Sequence, residues 1–122
     1  MTWTWCRVGI CAAALLAVSC ATTQSRYVLL GPAHPPIPQN QDIVVFREGG
    51  PERPFVKVSR LDVHLEKTHF IGSGFEDALP ELKRQARLSG AEAIIEIQER
   101  SSMVGETRIY HVTATGIRYR EP

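Results

Sequence analysis

Two hydrophobic periods meet in the stretch from Phe75 to Ile97, where a helical spacing gives way at Gly90 to an apolar strand. Phe75, Leu79, Leu82 and Ala86 recur at steps of four, three and four, with Ala78 beside them, which places all five on one stripe of a helix. Glu76, Glu81, Lys83, Arg84 and Arg87 fall on the opposite, solvated side. Ser73-Gly74-Phe75-Glu76 matches the capping box, in which a serine oxygen and a glutamate side chain satisfy amide donors at a helix start. Pro80 conflicts with that start, because a proline so far along removes a hydrogen bond and crowds the carbonyl of Glu76. The pattern therefore predicts an irregular first turn, or a later start with Asp77 as the cap and Pro80 still in the first turn. Gly90 is placed to take the left-handed conformation that ends a helix.

The flanking segments read as strands. Ile43 to Phe46 is a short run of β-prone residues, closed by turn residues from Glu48 to Pro54. In Phe55 to Leu65 the alternation changes phase: Val56 and Val58 are even positions, whereas Leu61, Val63 and Leu65 are odd. A β-bulge near Ser59-Arg60 would bring all of them to one face. Lys67 to Gly74 reads as a loop into the helix. After Gly90, the strand Ala91 to Glu99 is apolar on both faces at Ala93, Ile94, Ile95 and Ile97, as a central strand should be. Ser101 to Glu106 reads as a turn or mobile loop, and Arg108 to Arg120 as the last strand. Ile109, His111, Thr113, Thr115, Ile117 and Tyr119 share one face of it. Tyr110, Val112, Ala114 and Gly116 share the other, where the small pair would let the helix come close.

The expected fold class is α+β, in the order ββαββ, with one helix on a largely antiparallel sheet. Its uncovered face would carry Thr113 and Thr115 beside residual apolar groups, which suggests a partner or self-association.

Composition matters most at the amino end. Residues 1–19 read as a secretory signal: Arg7 supplies positive charge, Val8 to Val18 form an apolar run, and Ala17-Val18-Ser19 are small. Such a run is too short to span a bilayer, which needs about 20 apolar residues. Leu16-Ala17-Val18-Ser19-Cys20 resembles the lipobox of bacterial lipoproteins, in which the cysteine is lipidated and becomes the first mature residue. The usual leucine position holds Ala17 here, with Leu16 one place back. Ordinary cleavage near Ser19 would instead leave Cys20 as a free thiol. Several acyl chains, at about 0.8 kcal/mol per buried methylene, would anchor the protein stably. Ala21 after the cysteine is similar to the outer-membrane sorting pattern, which implies a domain in the periplasm.

Cys6 and Cys11 would leave with the signal, so the mature chain would hold only Cys20 and no disulfide. Without Arg7 it would carry thirteen basic and thirteen acidic residues, a balance that gives no reason to expect nucleic acid or a polybasic membrane patch. Pro32, Pro35, Pro36 and Pro38 suggest that 20–41 is an extended tether and that the domain is 42–122. Tyr27 to Leu30 interrupts the tether's polarity, either as an edge strand docked on the domain or as a partner-binding segment.

The Gly90-Ala91-Glu92-Ala93-Ile94-Ile95 junction and the Val112-Thr113-Ala114-Thr115-Gly116 strand resemble the YbjQ-like superfamily. That group includes small oligomeric proteins labelled heavy-metal-binding domains and the Rcs envelope-stress sensor lipoprotein. The resemblance implies a small α+β domain, and the proline-rich segment behind a lipidated cysteine is similar to the sensor. The sensor's domain has disulfides that this chain lacks the cysteines to form, and no functional residue carries over.

Candidate chemistry is sparse. His64, His69 and His111, with Glu66, are the residues that could approach a metal, but they lack the tight spacing of a zinc site. Ser73 between two glycines is explained by capping, and Glu76-Asp77 by the helix dipole. The sequence has no nucleophile elbow or phosphate loop. No catalytic residue, metal ligand or cofactor is therefore assigned. The expectation is a non-enzymatic envelope lipoprotein, anchored through Cys20, that acts as a protein-binding adaptor or stress-sensor-like module. The alternatives are a self-assembling structural module and a periplasmic ligand- or metal-binding domain.

Overall fold

The computed structural model describes residues 21–68 and 74–121. The expected signal 1–19, the lipidation residue Cys20, the metal candidate His69 and the capping residue Ser73 lie outside the described residues.

Helix α1 runs Phe75–Ser89 and buries Ala78, Leu82, Gln85, Ala86 and Ser89. Its cap lies one residue later than the Ser73 capping box would put it. Gly74 is the N-cap, and Asp77, three residues on, accepts the Gly74 amide on Oδ2 at 3.0 Å. Asp77 thus supplies the box's return bond instead of being the cap. Pro80 lies beyond the first turn, so the helix carries a proline in its interior. At the other end Gly90 is left-handed (φ 82°), and the Ala91 and Gly90 amides donate to Ala86 and Arg87 carbonyls at 2.9 and 3.2 Å. This is a Schellman ending, as the glycine suggests.

Five strands form one sheet in the order β1-β3-β5-β4-β2: β1 Ala21–Leu29, β2 Val44–Val45, β3 Phe55–Thr68, β4 Ala93–Val104 and β5 Thr107–Tyr119. The α+β class with one helix on a sheet holds, but the order is βββαββ. All neighbours are antiparallel except β2 and β4, which run parallel. The phase change in β3 is a bulge between Lys57 and Ser59, which lets Val58 join Leu61, Val63 and Leu65 in the core under α1. Gly116 permits the close approach there. A Cβ at that position would lie 2.7 Å from the Ala91 Cβ, and nearby the buried Ser59 and Ser89 hydroxyls are 2.8 Å apart.

Residues 20–41 are not the expected tether over the span described. Ala21–Leu29 pairs with β3 from Ala21↔Lys67 to Leu29↔Ser59, so Tyr27 to Leu29 docks as an edge strand. The proline-rich stretch that follows is a strap over the end of α1. Ile37 is buried and its amide donates to the Arg87 carbonyl at 2.9 Å, a second and shorter bond to the acceptor that also takes the Gly90 amide. The fold therefore includes 21–41 and does not begin at 42.

Of the turn or mobile loop expected at Ser101 to Glu106, the structure has a turn, and a shorter one. β4 and β5 continue to Val104↔Thr107, leaving Gly105-Glu106 as a two-residue turn. Gly105 has φ 60° and Glu106 is not among the positive-φ residues, the pattern of a type II′ hairpin. β4 contains a second bulge between Ile95 and Gln98, with Glu96 left-handed at φ 55°. Lys57 at 2.6 Å and Thr115 at 2.9 Å hold the Glu96 carboxylate, and Lys57 foremost lowers its pKa.

Candidate functional site

The sheet face away from α1 is lined largely by polar side chains and carries two troughs. Alternation sends every second residue of β1, β3, β5 and β4 to it, and strand register sets them in rows. One row is Gln24, His64, His111 and Arg100; the next is Arg26, Asp62, Thr113 and Gln98. A shallow trough of about 400 Å³ is lined by Gln24, Ser25, Arg26, Asp62, His64 and His111. A second, of about 450 Å³, lies across His111 and is lined by Arg60, Gln98, Glu99, Arg100, His111 and Thr113.

Of the residues singled out as metal candidates, His64 and His111 come together, directly paired across β3 and β5 with ring centroids 5.8 Å apart. Each turns to a carboxylate: His111 Nε2 lies 2.6 Å from Asp62 Oδ1, and His64 Nε2 lies 2.9 Å from Glu66 Oε1. Arg26 approaches the other Asp62 oxygen at 3.7 Å. Among the described residues no group of three or more histidine, cysteine, aspartate or glutamate side chains could hold a metal ion. The rows are built for polar contacts spread over a surface.

Of the apolar groups expected on this face, Val28, opposite Arg60, is exposed and Ile109, opposite Glu66, is half-buried. Ala93, Ile95 and Ile117 form a small cluster of their own at one end, covered by Phe46, Phe55 and Tyr119. Thr115 is buried beneath the Glu96 carboxylate, while Thr113 stays half-buried in the rows. Asp62, Arg26 and Gln24 were not singled out from sequence. Alternation in β3 would flag Asp62, but β1 had to be recognised as a strand before Gln24 and Arg26 could join it.

On the helix side, Tyr110 donates to Glu99 Oε1 at 2.5 Å and Arg47 lies 3.4 Å from Glu99 Oε2. Tyr110 foremost holds Glu99 below the usual carboxylate range, while burial and Glu99 hold the phenol well above its own. Arg47 also stacks on Phe75, 3.8 Å from the ring centre. This cluster pins the start of α1 to β4, and of its residues Glu99 also lines the second trough.

In comparisons with known proteins, no family model, curated protein or solved structure matches the chain.

Proposed function

We propose that the protein is a non-enzymatic envelope lipoprotein, anchored through Cys20 at the outer membrane and facing the periplasm, that binds an acidic segment of another protein along its open sheet face. The observation that carries this reading is the polar row on that face. Arg60 and Arg100 border the larger trough and form no ion pair among the described residues, whereas Asp62 and Glu66 are engaged by histidines. An acidic chain laid across β3, β5 and β4 would meet these guanidiniums, and its backbone would find donors and acceptors in Gln98, Thr113 and His111. The lipobox-like stretch before Cys20 supports the anchor.

The test is a photo-crosslinking residue at Thr113 in the full-length protein, compared with a Cys20→Ala control and an Arg60→Glu, Arg100→Glu variant. One envelope protein captured by the wild type and lost in both variants supports the reading. Capture that survives reversal of both charges overturns the acidic-segment assignment.

A second reading rests on β1, a nine-residue edge strand with no strand on its outer side among the described residues. Such an edge can pair with a second copy. Self-crosslinks from Val28, with none from Thr113, would favour this assembly. The ligand- or metal-binding alternative has less support, because His64 and His111 are each committed to a carboxylate.

A further inference from the structure

We infer that the β4–β5 hairpin tip, Met103 and Val104, inserts into the lipid surface and stands the domain on the bilayer by one end of its sheet. The inference rests on the reading of Cys20 as the lipidated residue.

If Cys20 carries the lipid, the next residue is already in the sheet, because Ala21 pairs with Lys67. Successive Cα atoms are about 3.8 Å apart, so no span of chain separates anchor from fold. The sheet end that holds Ala21 must then lie at the membrane. Register shows what else occupies that end: Ala21 pairs with Lys67, Lys67 with Arg108, and Arg108 with Met103. Val104 lies one residue further out, opposite Thr107, and within the hairpin the Gly105-Glu106 turn extends beyond it.

Met103 and Val104 are 53% and 65% exposed, and Val104 is the most exposed large hydrophobic residue among those described. An apolar pair at a hairpin tip has no folded-state partner, yet here it lies level with the acyl anchor. The separation is three strand spacings, about 14 Å before sheet twist is added. Two points of insertion at that spacing fix the sheet's orientation where one would let it swivel.

Charge distinguishes a lipid surface from an anionic one. Lys67 is paired with Asp77 at 3.4 Å, and Arg108 and Glu106 offset each other in formal charge. The tip should therefore enter neutral and anionic bilayers alike, driven by apolar burial instead of by phosphate attraction. Orientation bears on the proposed binding face too, since the sheet face would stand roughly upright, with the rows through His111 and Thr113 parallel to the bilayer and open to a partner.

Both tryptophans, Trp3 and Trp5, precede Cys20, so Met103→Trp would be the sole indole of the processed protein. Full-length Met103→Trp and Leu30→Trp, the latter just past the far end of β1, are made in a bacterial host. Each is reconstituted into phosphatidylcholine vesicles with brominated acyl chains. Intact mass first reports cleavage and acylation. With an acylated protein, a blue-shifted Met103→Trp emission quenched by the bromines, beside an unquenched Leu30→Trp, is the expected result. Replacing half of the lipid with phosphatidylglycerol should leave the quenching unchanged. An acylated protein whose Met103→Trp is unquenched, or whose two indoles are quenched alike, overturns the inference while the anchor reading stands. A mass without acyl chains overturns the anchor reading, and the inference falls with it. Val104→Trp repeats the measurement should Met103→Trp fail to fold.

Discussion

At the scale of single residues, Gly90 is held by two independent constraints. Its φ of 82° disfavours any side chain, and a Cβ there would lie 2.6 Å from the His34 Cβ and 2.9 Å from the Pro35 oxygen. Gly90→Ala should therefore cost about 2–4 kcal/mol in urea unfolding, combining left-handed strain with displacement of the strap. Tyr110 provides a test by pH. Its hydroxyl lowers the folded pKa of Glu99, so the stability this pair contributes is complete above the unfolded carboxylate value, about 4.3, and is lost as pH falls through the lower folded value. Tyr110→Phe should cost about 1 kcal/mol above about pH 5, after allowance for the exposure of Glu99, and the difference from wild type should shrink toward acid. Denaturant titrations at several pH values would read this directly. A difference that stays constant with pH would mean that packing of the ring, not the bond to Glu99, carries the effect.

At the scale of elements, α1 and β1 stabilise each other. Ser25 donates to Glu81 Oε2 at 2.5 Å and accepts from Gln85 Nε2 at 2.9 Å, and Gln85 is buried. Ser25→Ala leaves the Gln85 amide without that acceptor and should lower stability by about 1–2 kcal/mol. Its thermal midpoint should fall, and amide exchange should show β1 opening before β3. Pro80 acts in the opposite sense. It is exposed and lies past the first turn, so Pro80→Ala restores a donor to the Glu76 carbonyl without disturbing the core. A gain of about 2 kcal/mol is expected after the more flexible unfolded chain is counted. A loss would show that the proline ring shapes the entry to the helix.

At the scale of the whole molecule, the segment behind Cys20 is part of the fold. A protein beginning at Asp42 would lack β1 and Ile37, uncovering the edge of β3 and removing a buried member of the core. Such a truncation should lose cooperative unfolding and associate through the exposed edge, whereas one beginning at Ala21 should unfold as a single unit. Light scattering and circular dichroism of the two proteins would check this. Equal behaviour would show that β1 and the strap add little to the core beneath α1.

The sequence alone determined the features set by local spacing. The stripe from Phe75 to Ala86, the glycine ending at Gly90, the bulge in β3 and the two faces of β5 all follow from side-chain period and backbone preference within one segment. The short form of the β4–β5 turn was legible in principle from Gly105, but the polar run Ser101-Ser102 masked it as a loop. Only the tertiary structure decided what depends on partners distant in sequence. Proline content suggests a path without helix or sheet, and 33–38 form neither, yet nothing local says that Ile37 will be buried or that its amide will meet Arg87. Strand register likewise brought His64 to His111 and Arg26 to Asp62, across separations that no periodicity encodes. Alternation assigns a residue to a face. Pairing decides which residues on that face become neighbours, and pairing is fixed by the whole sheet closing over its helix.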